Sequence, residues 1–322
     1  MRFIIRADAY RMSGAGHVMR SSVIAEELVD RGHEVYFVGN LDEIPWVREY
    51  ISDLGFKGIY TPNDHFSTNY ITDTLILDSY EISITDPFIQ PKNWRKILVL
   101  VDDTTPSYGG DIYLHTGAET SWRKPDFLSS SIFLVGLEYM LIRKSLRKLK
   151  SVDIQNKNQR MQILISAGGS DPFRFSENLV KILSRSTSNF QAHVLAPVFK
   201  LPVEDSRFEL IKLGKEYEDL LGVIDLVFTT AGTSSWEYLF LGIPTAVACA
   251  ASNQETNYQY LVNNSLAVDI GKLDSQKNWK INTSIFSNIS VQNIFGFELD
   301  ASKIENFGLT GYQKVVEILL KV

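Results

Sequence analysis

MQILISAGGSDPF, residues 161–173, decides the fold. Its first six residues form a short apolar run of strand type, and the two glycines, serine and aspartate that follow mark a strand turning towards a helix. The chain already opens on a run of the same kind, RFIIRA at residues 2–7, so the later run begins a second sheet. Between them, SVDIQNKNQR at residues 151–160 is polar and lacks a buried-strand pattern, which predicts a linker. Upstream, HVMRSSVIAEELVDRG at residues 17–32 has the apolar spacing of a helix, with Gly32 as its stop. EVYFVG, DTLILD and KILVLVDD follow as strands, the last two ending in Asp78 and in Asp102 with Asp103. Downstream, QAHVLA, DLVFTT and PTAVAC alternate with helical stretches that include SSWEYLFLG and NQETNYQYLVNN. This is the βαβ rhythm of parallel sheets. The expected fold class is α/β, with two Rossmann-like domains facing a cleft, residues 1–154 and 155–322. Residues 272–305 show no pattern, and GYQKVVEILLKV predicts a closing helix for the second domain.

Composition narrows the function. With 44% hydrophobic and 22% charged residues, the 322-residue chain buries a full core without staples. A net charge of −6 argues against a nucleic-acid partner. The single cysteine, Cys249, lies in an apolar run and is expected to be core packing, which excludes an internal disulfide and a cysteine metal cage. Arg6 and Asp8 break the N-terminal run too early for a signal peptide, and no stretch reaches membrane-span length. The expectation is a cytoplasmic protein without stable membrane insertion.

SGAGHVMRSS, at residues 13–22, is the first candidate loop. After Gly14 and Gly16 the third glycine of a dinucleotide fingerprint falls on Met19, so that reading fails. What remains is His17 at the mouth of a helix. The positive helix end disfavours imidazolium, so His17 suits a general base; alternatively it caps the helix or packs on the sheet. In the second half, Gly168, Gly169 and Ser170 are able to offer N–H groups and a hydroxyl to a diphosphate. The alternative is an ordinary turn, with Ser170 or Asp171 as N-cap and Pro172 in the first helical turn. FTTAGTSSWE repeats the strand, small-residue loop and helix order. There Glu237 is either an acceptor for ribose hydroxyls or a solvated surface charge. His33, His65, His115 and His193 have no ligand spacing and are expected to be structural or superficial. The chain has no P-loop, HExxH, GxSxG or Asp-x-Asp motif, so no metal site is expected.

Together, GAGH with Arg20, GGSD, and AGTSSWE followed by Asn253-Gln254 resemble one family. They are similar to the UDP-2,4-diacetamido-2,4,6-trideoxy-β-L-altropyranose hydrolases of pseudaminic acid biosynthesis, related to the GT-B transferase of peptidoglycan N-acetylglucosamine addition. LDSY, VDD and GLEYMLIR extend the resemblance, which spans residues 1–265. It implies a GT-B fold, a UDP-sugar substrate and no cofactor. It also implies that His17 activates water for attack on the anomeric carbon, with inversion and without metal. Gly14, Gly16 and Arg20 would floor that site, and Tyr80, Tyr139 and Arg143 would lie on the sugar side. Gly168, Gly169, Ser170, Thr233, Ser234, Glu237, Asn253 and Gln254 would hold UDP.

The departures fall on sugar-facing segments. After VDD the chain reads TTPSYGGDIYLHTGAE, with His115, Thr116 and Gly117 where the family carries a stretch ending in asparagines, and Ser79 stands where a histidine is common. These changes bear on the hexose more than on the nucleotide. A GT-B glycosyltransferase using the same histidine on an acceptor alcohol, and a binding module without catalysis, stay open.

Overall fold

The computed structural model describes residues 1–64, 72–120, 122–123, 130–150, 160–195, 200–201, 203–213, 215–286 and 307–321. The chain divides into two compact units, Met1–Lys144 with Asn306–Val322, and Ser145–Glu305.

In the first unit the elements run β1 (Arg2–Ala7), α1 (Gly16–Asp30), β2 (Glu34–Val38), α2 (Pro45–Ser52), β3 (Gly58–Tyr60), β4 (Thr74–Asp78), β5 (Lys96–Leu100), β6 (Ile112–His115) and β7 (Ile132–Val135). They form a parallel sheet of order β3-β2-β1-β4-β5-β6-β7. The order reverses between β1 and β4, where the crossovers leave to opposite sides and a crevice opens at the C-terminal ends. Both faces are apolar, as two-sided cover requires. Phe3, Ile5 and Ile76 pack with Val23, Ile24 and Leu28 of α1, while Ile4, Leu75, Leu77 and Val99 face the other way with Trp94, Tyr108 and Tyr113.

The second unit runs α3 (Lys144–Lys150), β8 (Met161–Ser166), α4 (Phe175–Leu183), β9 (Phe190–Leu195), β10 (Phe208–Ile211), α5 (Lys215–Leu221), β11 (Leu226–Thr230), α6 (Thr233–Phe240), β12 (Thr245–Cys249), α7 (Glu255–Asn263), β13 (Val268–Leu273) and β14 (Trp279–Ile281). Its sheet order, β10-β9-β8-β11-β12-β13-β14, repeats the first, with only β14 antiparallel. Here the reversal lies between β8 and β11.

The closing helix α8 (Gly311–Lys321) corrects the expected domain assignment. It returns to the first unit, where Val315, Val316 and Leu319 join the core beside α1. Its first residue explains the close fit: a Cβ at Gly311 would stand 2.3 Å from the Met140 carbonyl oxygen, so only glycine permits that approach. Lys96 then donates from Nζ to the Leu319 carbonyl at 3.1 Å, closing the other end of the helix. The sequence boundary also shifts, from residue 154 to Lys144. The expected linker falls mostly at 151–159, outside the described residues, as do His65 and residues 287–305 of the patternless stretch. Among the described residues no helix is long and apolar enough to cross a membrane.

Candidate active site

The turn after β1 is closed by the Gly14 N–H donating to the Tyr10 carbonyl at 2.7 Å, with Gly14 at φ +78°. Ala15 is the N-cap of α1 and no side chain caps it, so the capping alternative for His17 is set aside. His17 is buried in the first turn of α1 instead, and its Nδ1 lies 2.5 Å from Asp78 Oδ1 at the end of β4. Register brings them together, because Ala7 of β1 pairs with Asp78 of β4 directly before the chain enters the loop to α1.

Arg20, one turn further along α1, completes the cluster. Its Nε and Nη2 donate to Asp78 Oδ2 and Oδ1, each at 2.6 Å, a bidentate fork on a carboxylate with no exposed surface. Burial alone pushes the Asp78 carboxyl up, but the Arg20 guanidinium and His17 hold it below the usual carboxylate range. Arg20 is burdened by the same burial yet is raised by the Asp78 charge. An ionised Asp78 at that distance requires a proton on His17 Nδ1, so the neutral form of the imidazole carries its lone pair on Nε2. That nitrogen makes no hydrogen bond among the described residues. The Tyr80 ring stands edge-on to His17 at 4.2 Å between centroids, and its hydroxyl donates to Asp102 beyond the end of β5. Arg20 Nη1 lies 3.6 Å from the same Asp102.

Of the sugar-side expectations, His17, Arg20 and Tyr80 therefore share one cluster, entered by the Gly14–Gly16 turn. Tyr139 sits in the 3-10 turn after β7 and packs partly buried on the core beside α8. Arg143 is buried just before α3. Asp78 was visible in the sequence as a strand-end acid, but not as the partner of His17. A second buried pair, also unforeseen, lies on the other face of the sheet. Asp8 accepts from Arg6 Nη1 at 2.6 Å and from the Asn40 N–H at 2.8 Å.

The nucleotide-side candidates lie in loops after β8, β11 and β12, which the sheet order sets side by side. Gly168 takes φ +80°, a value suited to glycine, and Gly169 and Ser170 follow half-buried. Of the turn alternative, the N-cap position is corrected and the capping role of Asp171 is kept. Helix α4 starts at Phe175 with Arg174 as N-cap, and Asp171 reaches forward to accept from the Phe175 and Ser176 N–H groups at 2.8 and 3.0 Å. Burial nonetheless pushes its carboxyl above the ordinary value.

Thr233 and Ser234 open α6 behind Gly232, whose carbonyl accepts from Ser235 Oγ at 2.6 Å. Glu237 is 7% exposed, which removes the surface-charge alternative. Gln254 lies beside this turn, its Nε2 at 3.5 Å from where a Cβ on Gly232 would be, and its Oε1 accepts from the Ala250 N–H at 3.1 Å. Asn253 shares the same 3-10 turn. Asn257, which sequence reasoning missed, ties α7 to the loop by donating to the Ala231 carbonyl at 2.6 Å.

Cys249, His193 and His33 behave as packing. Burial pushes the Cys249 thiol up to about 12. His193 is buried between Gln162, at 2.8 Å, and Glu209, at 2.5 Å, and His33 stacks against Phe3.

Two Rossmann-like sheets of this order, one per unit, define a GT-B fold. Among solved structures, the chain is similar to MurG of Acinetobacter baumannii (TM-score 0.58, 12% identity, all of both chains). It is likewise similar to Arabidopsis thaliana UGT89C1 complexed with UDP (0.66, 10%, 99% of each). A third is the UDP-GlcNAc 2-epimerase of Neisseria meningitidis bound to UDP-GlcNAc (0.52, 14%, all of both). In sequence, an uncharacterized protein of Methanocaldococcus jannaschii is 30% identical over 273 residues, covering 77% of this chain. The chain spans only 55% of that relative's length. The UDP-2,4-diacetamido-2,4,6-trideoxy-β-L-altropyranose hydrolase of Campylobacter jejuni is 24% identical over 282 residues, 84% of this chain and 99% of that protein. No family model matches the chain.

Proposed function

We propose that the protein is an enzyme acting on a UDP-sugar, and specifically a hydrolase that releases UDP and a free diacetamido-trideoxyhexose. The observation that carries this reading is the Asp78 bridge. A carboxylate held ionised by Arg20 fixes the Nδ1–H tautomer of His17 and leaves Nε2 as the base. In the proposed reaction Nε2 takes a proton from water as the water oxygen bonds to the anomeric carbon. The bond from that carbon to the diphosphate oxygen breaks, and UDP leaves with the electron pair. Attack opposite the leaving group inverts the centre. Tyr80 and Arg20, anchored on Asp102 and Asp78, wall the base, with Tyr139 and Arg143 assigned to the sugar side.

The nucleotide is assigned to the second unit, with Gly168, Gly169, Ser170, Thr233 and Ser234 on the diphosphate, Glu237 on the ribose, and Asn253 and Gln254 beside them. The similarity to a named UDP-sugar hydrolase over nearly its whole length supports water as the acceptor.

The test is release of UDP and free sugar from UDP-2,4-diacetamido-2,4,6-trideoxy-β-L-altropyranose with no acceptor present. Turnover is expected, and His17→Ala should lower it by about 10²- to 10⁴-fold with UDP affinity kept. Turnover only on addition of an alcohol would make the protein a transferase, and tight binding without turnover a binding module.

A further inference from the structure

His115, at the C-terminal end of β6, has an environment that packing does not explain. The Val101 N–H donates to the Leu114 carbonyl at 2.8 Å, which sets His115 beside Asp102, and the Arg20 charge and both carboxylates of Asp102 and Asp103 act on it. It lies in the same row of strand ends as Asp78 and Asp102. Its Nδ1 lies 3.2 Å from the Gly117 N–H, within hydrogen-bond geometry. Nδ1 can accept from that N–H or donate to the Gly117 carbonyl 3.3 Å away, and accepting is the arrangement that puts the ring proton on Nε2. Burial and Arg20 hold the imidazole below its ordinary value, against the Gly117 backbone hydrogen bond and the Asp103 and Asp102 carboxylates, so it stays neutral near pH 7. Nε2 itself makes no hydrogen bond among the described residues.

Gly117 is what lets the ring lie there. A Cβ on it would stand 2.5 Å from His115 Cε1 and 3.3 Å from both ring nitrogens. The glycine is thus needed for the fold-back of the imidazole over its own loop.

We propose that His115 is a specificity-determining residue on the sugar side, donating Nε2–H to an acceptor oxygen of the sugar, and that Gly117 is its positioning residue. The inference rests on the UDP-sugar reading. It demands a substituent that accepts a hydrogen bond, because a neutral imidazole whose Nδ1 is already engaged has only a proton to give.

Two measurements test it. Nitrogen-15 NMR of the imidazoles in the unmodified protein should find His115 protonated at Nε2 and bare at Nδ1 at pH 7.5; the opposite tautomer overturns the proposal without any variant. Calorimetry in a His17→Ala background, which keeps the probe intact, then compares UDP with UDP-2,4-diacetamido-2,4,6-trideoxy-β-L-altropyranose. His115→Phe and Gly117→Ala should each weaken the preference for the UDP-sugar by about tenfold, the worth of one hydrogen bond, with UDP affinity unchanged. His115→Gln, whose Nε2 donates from nearly the same place, should restore much of it. If the background protein prefers the UDP-sugar and both variants keep that preference, this inference alone is wrong. If it binds UDP as tightly as the UDP-sugar, the reading beneath it fails as well.

Discussion

The same topology builds a crevice at the end of each sheet, and the two are furnished by opposite means. Beyond β1, β4 and β5 the first sheet concentrates buried charge, with Asp78 forked by Arg20 and bonded to His17, Asp102 beside them, and Arg6 with Asp8 on the far face. Beyond β8, β11 and β12 the second sheet offers glycines, hydroxyls and amides; the loops after β11 and β12 are pinned by neutral hydrogen bonds in which Asn257 and Ser235 donate and Gln254 accepts, and the Asp171 carboxylate holds the end of the Gly168 loop. A fixed ion pair orients a base in one tautomer. Backbone N–H groups accept an anion of several oxygens without any proton changing place. Substitutions at the first edge should therefore cost stability and turnover together, and those at the second should cost binding.

The largest effect is expected for Asp78→Asn. It leaves buried Arg20 without its forked counter-charge and with only the more distant Asp102, a loss of up to about 3–5 kcal/mol, and frees His17 to adopt the wrong tautomer. Turnover should fall with the midpoint of thermal unfolding. The sign with pH follows from the lowered carboxyl of Asp78, whose ordinary value is 3.8. The unfolded chain binds that proton first, so the contribution is complete above the ordinary value and is lost as pH falls through the folded one. Wild type and variant should thus differ by a constant amount at neutral pH and converge only in strong acid. A variant as stable as wild type at pH 7 would mean that the cluster is not held as an ion pair.

At the second edge the expected effect is smaller and of another kind. Glu237→Ala should weaken UDP binding by about 1.5–3 kcal/mol if the carboxylate accepts from the ribose hydroxyls. Glu237→Gln keeps the shape and should lose less. Titration calorimetry decides, read together with the unfolding midpoint. An unchanged dissociation constant in a folded variant would remove Glu237 from the nucleotide side and blur the contrast between the edges.

How much of this contrast the sequence announces differs between fold and site. The buried strands β1, β4, β5, β8, β11 and β12 are legible because both faces are covered, so each is a continuous apolar run between turn signals. β13 and β14 are not, since they lie at the sheet margin with alternating exposure and lack such a run. Their hairpin is signalled only by Asp274, which accepts from the Gln276 and Asn278 N–H groups at 2.9 and 2.8 Å. The omission touches the site, because Trp279 of β14 donates to the Phe173 carbonyl at 2.8 Å and packs against Phe175, bracing the loop that begins at Gly168. α8 was legible as a helix but not in its place. An apolar stripe carries no address, and only the gap that Gly311 fills against Met140 shows where it docks. In the site, His17 and Arg20 are one helical turn apart and so are read as a pair. Their tie to Asp78 depends on the pairing of β1 with β4, which no local pattern encodes.

The smallest expected effect concerns divalent metal, and it probes whether the second edge neutralises the leaving diphosphate by itself. The strand-end acids of the first edge, which a cation would seek, are already engaged. Asp102 accepts from Tyr80, from the Thr104 hydroxyl at 3.0 Å and from the Thr104 N–H at 3.1 Å, with Arg20 Nη1 at 3.6 Å, while Asp103 accepts from Thr120 at 2.6 Å. A cation placed there would displace those donors and meet the guanidinium. The proposed charge acceptors are instead the N–H groups of the Gly168 loop and of the α6 start, whose dipoles are fixed before the bond breaks. UDP release after dialysis against excess EDTA should match release with added magnesium or manganese. Activity lost with the chelator and restored by metal would contradict that account, and Asp102 and Asp103 would then be the acids to substitute first.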